Sequence, residues 1–95
     1  MSDADFESIR NHHEAPVLAA VRERAAGYPA LRPEMLADVA CVALNRLPPR
    51  YIRHPVDLAF YMSDKERLET ERAIDEAVTH AFGFVQARVA MRARG

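Results

Sequence analysis

Apolar residues recur at helical spacing in three stretches of the chain, separated by prolines. From about Asp5 to Ala26, Phe6, Ile9, Val17, Leu18 and Val21 fall near a 3.6-residue period. Pro16 interrupts that stretch, because it lacks an amide donor and crowds the preceding turn. Two arrangements fit: a short helix ending near His13 with a second starting at Pro16, or one helix kinked there. Gly27 suits a helix C-terminus, and Pro29 follows soon after. A second helix is predicted from about Pro33 to Arg46, with Pro33 in its first turn and Glu34 complementing its positive end. Its stripe is Leu36, Val39, Ala40, Ala43, Leu44 and Leu47. The small residues Ala37, Ala40, Cys41 and Ala43 let neighbours approach closely, so this helix is expected to be central and most buried. Pro48-Pro49 ends it.

The stretch Arg50–Met62 has a weaker pattern. Tyr51-Ile52 and Leu58-Ala59-Phe60-Tyr61-Met62 have strand-like composition, but alternation is poor and Pro55 argues against a central strand. It is expected to be an extended loop, with at most one short edge or intersubunit strand within residues 51–62. Ser63 then opens a third long helix, since Ser63 and Glu66 form a capping-box pattern. Leu68, Ile74, Val78, Ala81, Phe82, Val85 and Val89 carry its stripe to about Arg92. At ~1.5 Å per residue this helix is about 45 Å long, so one end projects from so small a domain or packs on a second subunit. The predicted fold is all-α, mainly helical, in one domain spanning residues 1–95.

Length sharpens that picture. A chain of 95 residues buries only about 60–65% of its extended surface. Homodimerisation is a common remedy for so small a core, and a homodimer is expected. Thirteen basic and fourteen acidic residues give a net charge of −1, which argues against holding duplex nucleic acid by bulk charge. Three glycines form no phosphate-cradling loop. The single cysteine, Cys41, excludes an internal disulfide and a multi-cysteine zinc site within one chain. Met1–Phe6 is acidic and polar, unlike a secretory signal, and no uncharged run is long enough to span a bilayer. A cytoplasmic location without membrane attachment is therefore expected.

Candidate chemistry is concentrated in one place. His12-His13-Glu14 is a weak metal candidate, because adjacent helical residues point about 100° apart and zinc needs converging ligands. These residues are expected to be polar groups on the surface or at a helix start, with no metal bound. Cys41 lies among Val39, Ala40, Val42 and Ala43 and is expected to pack in the core. No nucleophile, metal cluster or paired-carboxylate motif supports catalysis, so no enzyme and no cofactor are expected. The charged run Lys65, Glu66, Arg67, Glu69, Glu71 and Arg72 is taken as a solvated helix face. The distinctive segment runs from Ala43 to His54. There Arg46, Arg50 and Arg53 flank a stiff Pro-Pro turn, with Asn45 before it and Tyr51 after it. Guanidinium groups bind phosphate bidentately and stack on base planes, and tyrosine offers a second stacking face. That set suits a phosphorylated, base-containing ligand. A structural reading is also open: Arg46 caps a helix, Arg50 and Arg53 pair with carboxylates, and Tyr51 packs.

The run Asp38-Val39-Ala40-Cys41-Val42-Ala43-Leu44-Asn45-Arg46-Leu47-Pro48-Pro49-Arg50-Tyr51 resembles the hallmark of the late competence development protein ComFB family. Asn11-His12-His13-Glu14 resembles the Asn-Tyr-Tyr-Glu type of stretch that opens the family's first helix. The resemblance covers about residues 6–90. It implies a small helical, dimeric, non-enzymatic protein. Some family members act as receptors for cyclic dinucleotides, including cyclic di-GMP, so the resemblance implies a cyclic di-GMP or cyclic di-AMP receptor acting on a protein partner. Asn45, Arg46, Arg50, Tyr51 and Arg53 are then the ligand-binding candidates. The alternative is a dimeric, competence-associated interaction module without a small ligand. Some relatives bind zinc through several cysteines; this chain has only Cys41, so no metal site is carried over.

Overall fold

Helix α1 spans Glu14–Arg24, α2 Pro33–Asn45, α3 Pro55–Tyr61 and α4 Asp64–Arg94 in the computed structural model, which describes residues 4–94. Residues 1–3, part of the acidic stretch discussed above, and residue 95 lie outside the described residues. Two short strands, β1 (Arg10–Asn11) and β2 (Tyr51–Ile52), form an antiparallel pair with Arg10 opposite Ile52 and Asn11 opposite Tyr51. The mainly helical expectation holds, and the short strand expected within residues 51–62 is β2, paired inside the chain.

Two local expectations are corrected. Asp5–His13 forms no α-helix: a single 3-10 turn at Phe6–Ser8 leads into β1. The helix begins at Glu14, which places Pro16 third in its first turn. Amides there have no intrahelical acceptor, so the proline costs no hydrogen bond and produces no kink. Residues 55–61 are helical rather than extended, because Pro55 occupies the first turn of α3 and its fixed φ suits that position. At the start of α4, the Glu66 amide donates to Ser63 Oγ at 3.1 Å, which is the serine half of the predicted capping box.

Helices α1, α2 and α4 share one core. Val17 and Val21 from α1 and Val39, Ala40 and Ala43 from α2 meet Ile74, Ala77, Val78, Ala81, Phe82 and Val85 from α4. Leu31 and Leu47 close its ends. Helix α2, expected to be central, packs on both α1 and α4, and those two also pack on each other. Helix α2 is not the most buried: α4 contributes six buried residues and α2 three. Phe82 is fully buried, and Tyr28 stacks on it with ring centroids 4.3 Å apart. Arg24 of α1 reaches Asp75 and, at 3.1 Å, Thr79 Oγ1 of α4, which fixes the crossing of those helices.

The 31 residues of α4 span about 46 Å at 1.5 Å per residue, close to the 53 Å long axis of the molecule. Its core-forming part is only Ile74–Val85; the turns from Asp64 to Ala73 and from Gln86 onward hold no buried residue. Both ends therefore run past the core, and the first of them stands opposite the Pro48–Tyr51 corner.

The core sets a contrast between neighbours. Phe82→Ala empties a fully enclosed site and is expected to cost about 3–5 kcal/mol. Gly83→Ala adds a methyl that meets nothing within 4 Å, in mid-helix, and is expected to stabilise by about 0.5–1 kcal/mol. Urea unfolding midpoints of the two variants, shifted in opposite directions from wild type, check both.

Candidate functional site

The corner after α2 is assembled by the Asn-His-His-Glu stretch. Pro48 and Pro49 have no amide hydrogen, so the first amide the corner offers is that of Arg50. It donates to Asn11 Oδ1 at 3.0 Å, and the same oxygen accepts from the His13 amide at 3.2 Å. The His12 amide donates to the Arg50 carbonyl at 2.6 Å. Glu14 Oε2 accepts from the Asn11 amide at 3.1 Å. The backbones of Arg50 and of residues 11–13 are thereby laced together across thirty-nine positions of sequence.

Arg50 stands between two hollows. One, of about 360 Å³, is lined by His12, His13, Leu47, Pro48, Arg50, Met62, Glu66, Glu69, Thr70 and Ala73. The other, of about 370 Å³, is lined by Arg50, Tyr51, Ile52, Arg53, His54, Asp57, Leu58 and Tyr61. Both are of ligand size. Among the described residues the Arg50 guanidinium takes part in no ion pair.

The five sequence-predicted residues separate into two groups. Arg50, Tyr51 and Arg53 share the second hollow, and Arg50 alone also enters the first. Tyr51 is 67% exposed, so its ring face is open. Arg53 is partly engaged: its Nε donates to Ser8 Oγ at 3.0 Å and its Nη2 lies 3.7 Å from Asp5. Both partners of that ion pair are exposed, so it is a weak tether, worth at most about 1 kcal/mol. Asn45 and Arg46 enter neither hollow. Asn45 Nδ2 donates to the Cys41 carbonyl at 2.9 Å, and the Arg46 amide donates to Ala43 at 3.1 Å, so both finish α2.

Cys41 differs from its expected role, and His12, His13, Glu66 and Glu69 have surroundings that their sequence neighbourhood did not show. His13 precedes α1 as a helix-start residue but is not on the surface: it is 8% exposed, and its Nδ1 is buried without a hydrogen-bond partner. Burial holds its imidazole below the ordinary value, with the Arg50 charge adding to this and the nearby Pro48 carbonyl opposing it. His12 is also lowered, by burial first, then by His13 and Arg50. Cys41 is exposed rather than in the core. It sits on the outward side of α2, in a groove with Asp38, Arg88 and Arg92. Glu66 and Glu69, taken from sequence as part of a solvated face, line the first hollow opposite Arg50 and the histidines. Nothing in their local sequence marks them; only the path of α4 past the corner does. Among the described residues, no three His, Cys, Asp or Glu side chains are placed to hold a metal ion.

The fold and the corner define a small helical protein whose N-terminal strand braces a proline turn beside two open hollows. The family model described as Late competence development protein ComFB matches residues 10–89, which include both the Asn-His-His-Glu stretch and the Pro-Pro corner. The chain belongs to the ComFB family, which places it among competence-related regulatory proteins. No curated protein and no solved structure matches it. No helix among the described residues is long and apolar enough to cross a membrane.

The histidines make stability depend on pH. The unfolded chain takes up protons near 6.5, whereas the folded chain, with both imidazoles held lower, resists protonation there. Stability is therefore expected to fall as pH drops through that value, and to level once the folded histidines protonate. Urea midpoints from about pH 7.5 to about pH 5.5 measure the slope, which His13→Asn is expected to make shallower.

Proposed function

We propose that this ComFB-family chain is a non-enzymatic cytoplasmic receptor that binds a cyclic dinucleotide, cyclic di-GMP or cyclic di-AMP, at the Arg50 corner. It acts as a homodimer on a protein partner. The observation that carries this reading is the state of Arg50. Its backbone is held on both sides, by its amide to Asn11 and its carbonyl to His12, while its guanidinium projects without an ion pair between two ligand-sized hollows. A preordered base with a free planar cation suits phosphate, because little conformational freedom is left to lose on binding. The open Tyr51 ring beside it offers a stacking face for a base. Transmission to a partner requires that ligand favour one conformation over another. The first turns of α4, which bury nothing yet line the first hollow, are the element whose position an occupant would bias.

A second reading is supported by a different observation. Phe6, Ile9, Tyr51, Val56, Phe60 and Tyr61 are all exposed, and all come from the segments that build the corner; Phe60 is 81% exposed. Exposed apolar clusters mark interaction surfaces. On this reading the corner is a protein-docking module without a small ligand, and its arginines steer the partner.

Calorimetry with cyclic di-GMP and cyclic di-AMP separates the two. The receptor reading expects saturable binding of at least one of them, weakened about ten- to a hundredfold by Arg50→Ala, the loss of one charge-assisted contact. It also expects an unchanged melting temperature for the unliganded variant, because the bonds at this position are made by the backbone. No heat and no thermal shift at high excess of both ligands would leave the docking module standing.

A further inference from the structure

Helix α4 changes sign along its length. Residues 64–76 carry six acidic side chains and three basic ones, whereas residues 77–94 carry three arginines and no acidic residue. Complementing the helix's own dipole needs charge only at its two ends, because that field fades within one turn. Glu69, Glu71, Asp75 and Glu76 lie beyond the first turn, and Arg88 lies before the last. Asp75 meets Arg24, and Glu69 reaches Lys65 at 4.0 Å. Glu66, Glu71, Glu76, Arg88, Arg92 and Arg94 take part in no ion pair among the described residues. The imbalance is not resolved within the chain.

Six exposed side chains put this polarity on one side of the helix. At ~100° per residue, Glu66, Glu69, Glu76, Phe84, Met91 and Arg94 fall within an arc of about 80°, beside the buried stripe of the same helix. Phe84 and Met91 are large apolar residues left in solvent, Met91 with 70% of its surface exposed. The Arg88 guanidinium lies over the Phe84 ring, 5.8 Å from its centroid. The arc therefore begins acidic and ends apolar and basic.

A second copy of this chain matches that sequence of charges. Two identical helices that cross a two-fold axis run antiparallel, so the start of each lies beside the end of the other. With residue 80 on the axis, position 66 falls opposite 94, 69 opposite 91 and 76 opposite 84. The six residues of the arc thus pair among themselves. Glu66 is opposite Arg94, Glu69 is opposite Met91 with Arg92 next to it, and Glu76 is opposite Phe84 with Arg88 above it. A parallel pairing would set like charges side by side. An unrelated partner would have to carry both halves in reverse order, which an identical chain does by symmetry.

Resting on the homodimer of the reading above, we propose that the exposed arc of α4 is its interface, formed by antiparallel pairing of the acidic half of each α4 with the basic half of the other.

Charge reversal tests this on the full chain by sedimentation velocity. One variant is Glu66→Lys/Glu76→Lys and the other is Arg88→Glu/Arg94→Glu. All four positions are exposed, so folding is retained, and circular dichroism checks it. Wild type is expected to be a dimer that weakens as salt rises from about 0.05 to about 0.5 M. Each variant alone is expected to dissociate about tenfold more readily or worse, because both contacts become repulsive. An equimolar mixture of the two is expected to recover a heterodimer, since reversing both partners restores attraction at both ends. A wild-type dimer indifferent to salt, variants that dimerise as wild type does, or a mixture that stays monomeric would each overturn this interface and leave the homodimer standing. A wild type that stays monomeric would overturn both the interface and the homodimer, while calorimetry with the cyclic dinucleotides still decides ligand binding separately.

Discussion

One side-chain oxygen holds the corner in place. Asn11 Oδ1 accepts from the backbone amides of both His13 and Arg50. A carboxylate would bring a charge to a site that already has Glu14 bound to the Asn11 amide; a hydroxyl is too short to span both donors. The need arises from Pro48-Pro49. Two successive residues without amide hydrogens stiffen the turn but leave it unable to bond itself into a helix or a ladder. The Arg50 amide must therefore be satisfied from elsewhere, and the chain supplies Asn11, together with a two-residue antiparallel pairing, to do it. The position of the Arg50 side chain follows from that bond.

The helices were legible because their stripes recur over three or more turns, where packing and propensity agree. Helix α2 ends where Pro48-Pro49 said it must, and Ser63 starts α4 through its hydroxyl. The failures occurred where one long-range contact overrides a local pattern. Phe6 and Ile9 keep helical spacing, yet the chain between them and Glu14 is drawn into extended form by Asn11 and the Arg50 carbonyl. Residues 55–61 have strand-like side chains, but Pro55 at a first helical turn outweighs them. The error at Cys41 was of another kind. Its sequence neighbours are apolar, but Val39, Ala40 and Ala43 define the inward side of α2, and Cys41 falls off that arc. Angular position decides burial on a helix, and it outweighs the composition of adjacent residues.

The candidate site was half legible for a related reason. Arg46 and Arg50 are four residues apart, but a helix ends between them and the proline turn redirects the chain. Nearness along the sequence therefore grouped Asn45 and Arg46 with the corner, whereas the bonds they make complete α2. Nearness in space brought in His12 and His13 from the start of α1, and Glu66 and Glu69 from α4. The resemblance of Asn11–Glu14 to a family stretch was the one clue to the histidines. The glutamates had none, because a mixed charge run on a helix looks the same whether it faces water or a neighbouring corner.

The electrostatics of the corner work against stability. His13 is taken out of water with a ring nitrogen unpartnered, His12 is partly desolvated, and both lie close enough to Arg50 that its charge disfavours their protonation. A chain arranged only for stability would close these groups onto Glu66 and Glu69, converting two solvated walls into ion pairs. Instead the core ends at Ile74 on α4, and the two turns nearest the corner bury no side chain. The molecule thus keeps these opposite charges out of ion-pair contact, while Arg24 and Asp75, six residues beyond Glu69 on the same helix, do meet. A small domain has few kcal/mol to spare for such an arrangement. Perturbed titratable groups on a firmly bonded backbone are a pattern that functional sites share. That is why the braced Arg50 corner, rather than the exposed groove around Cys41, is the candidate site.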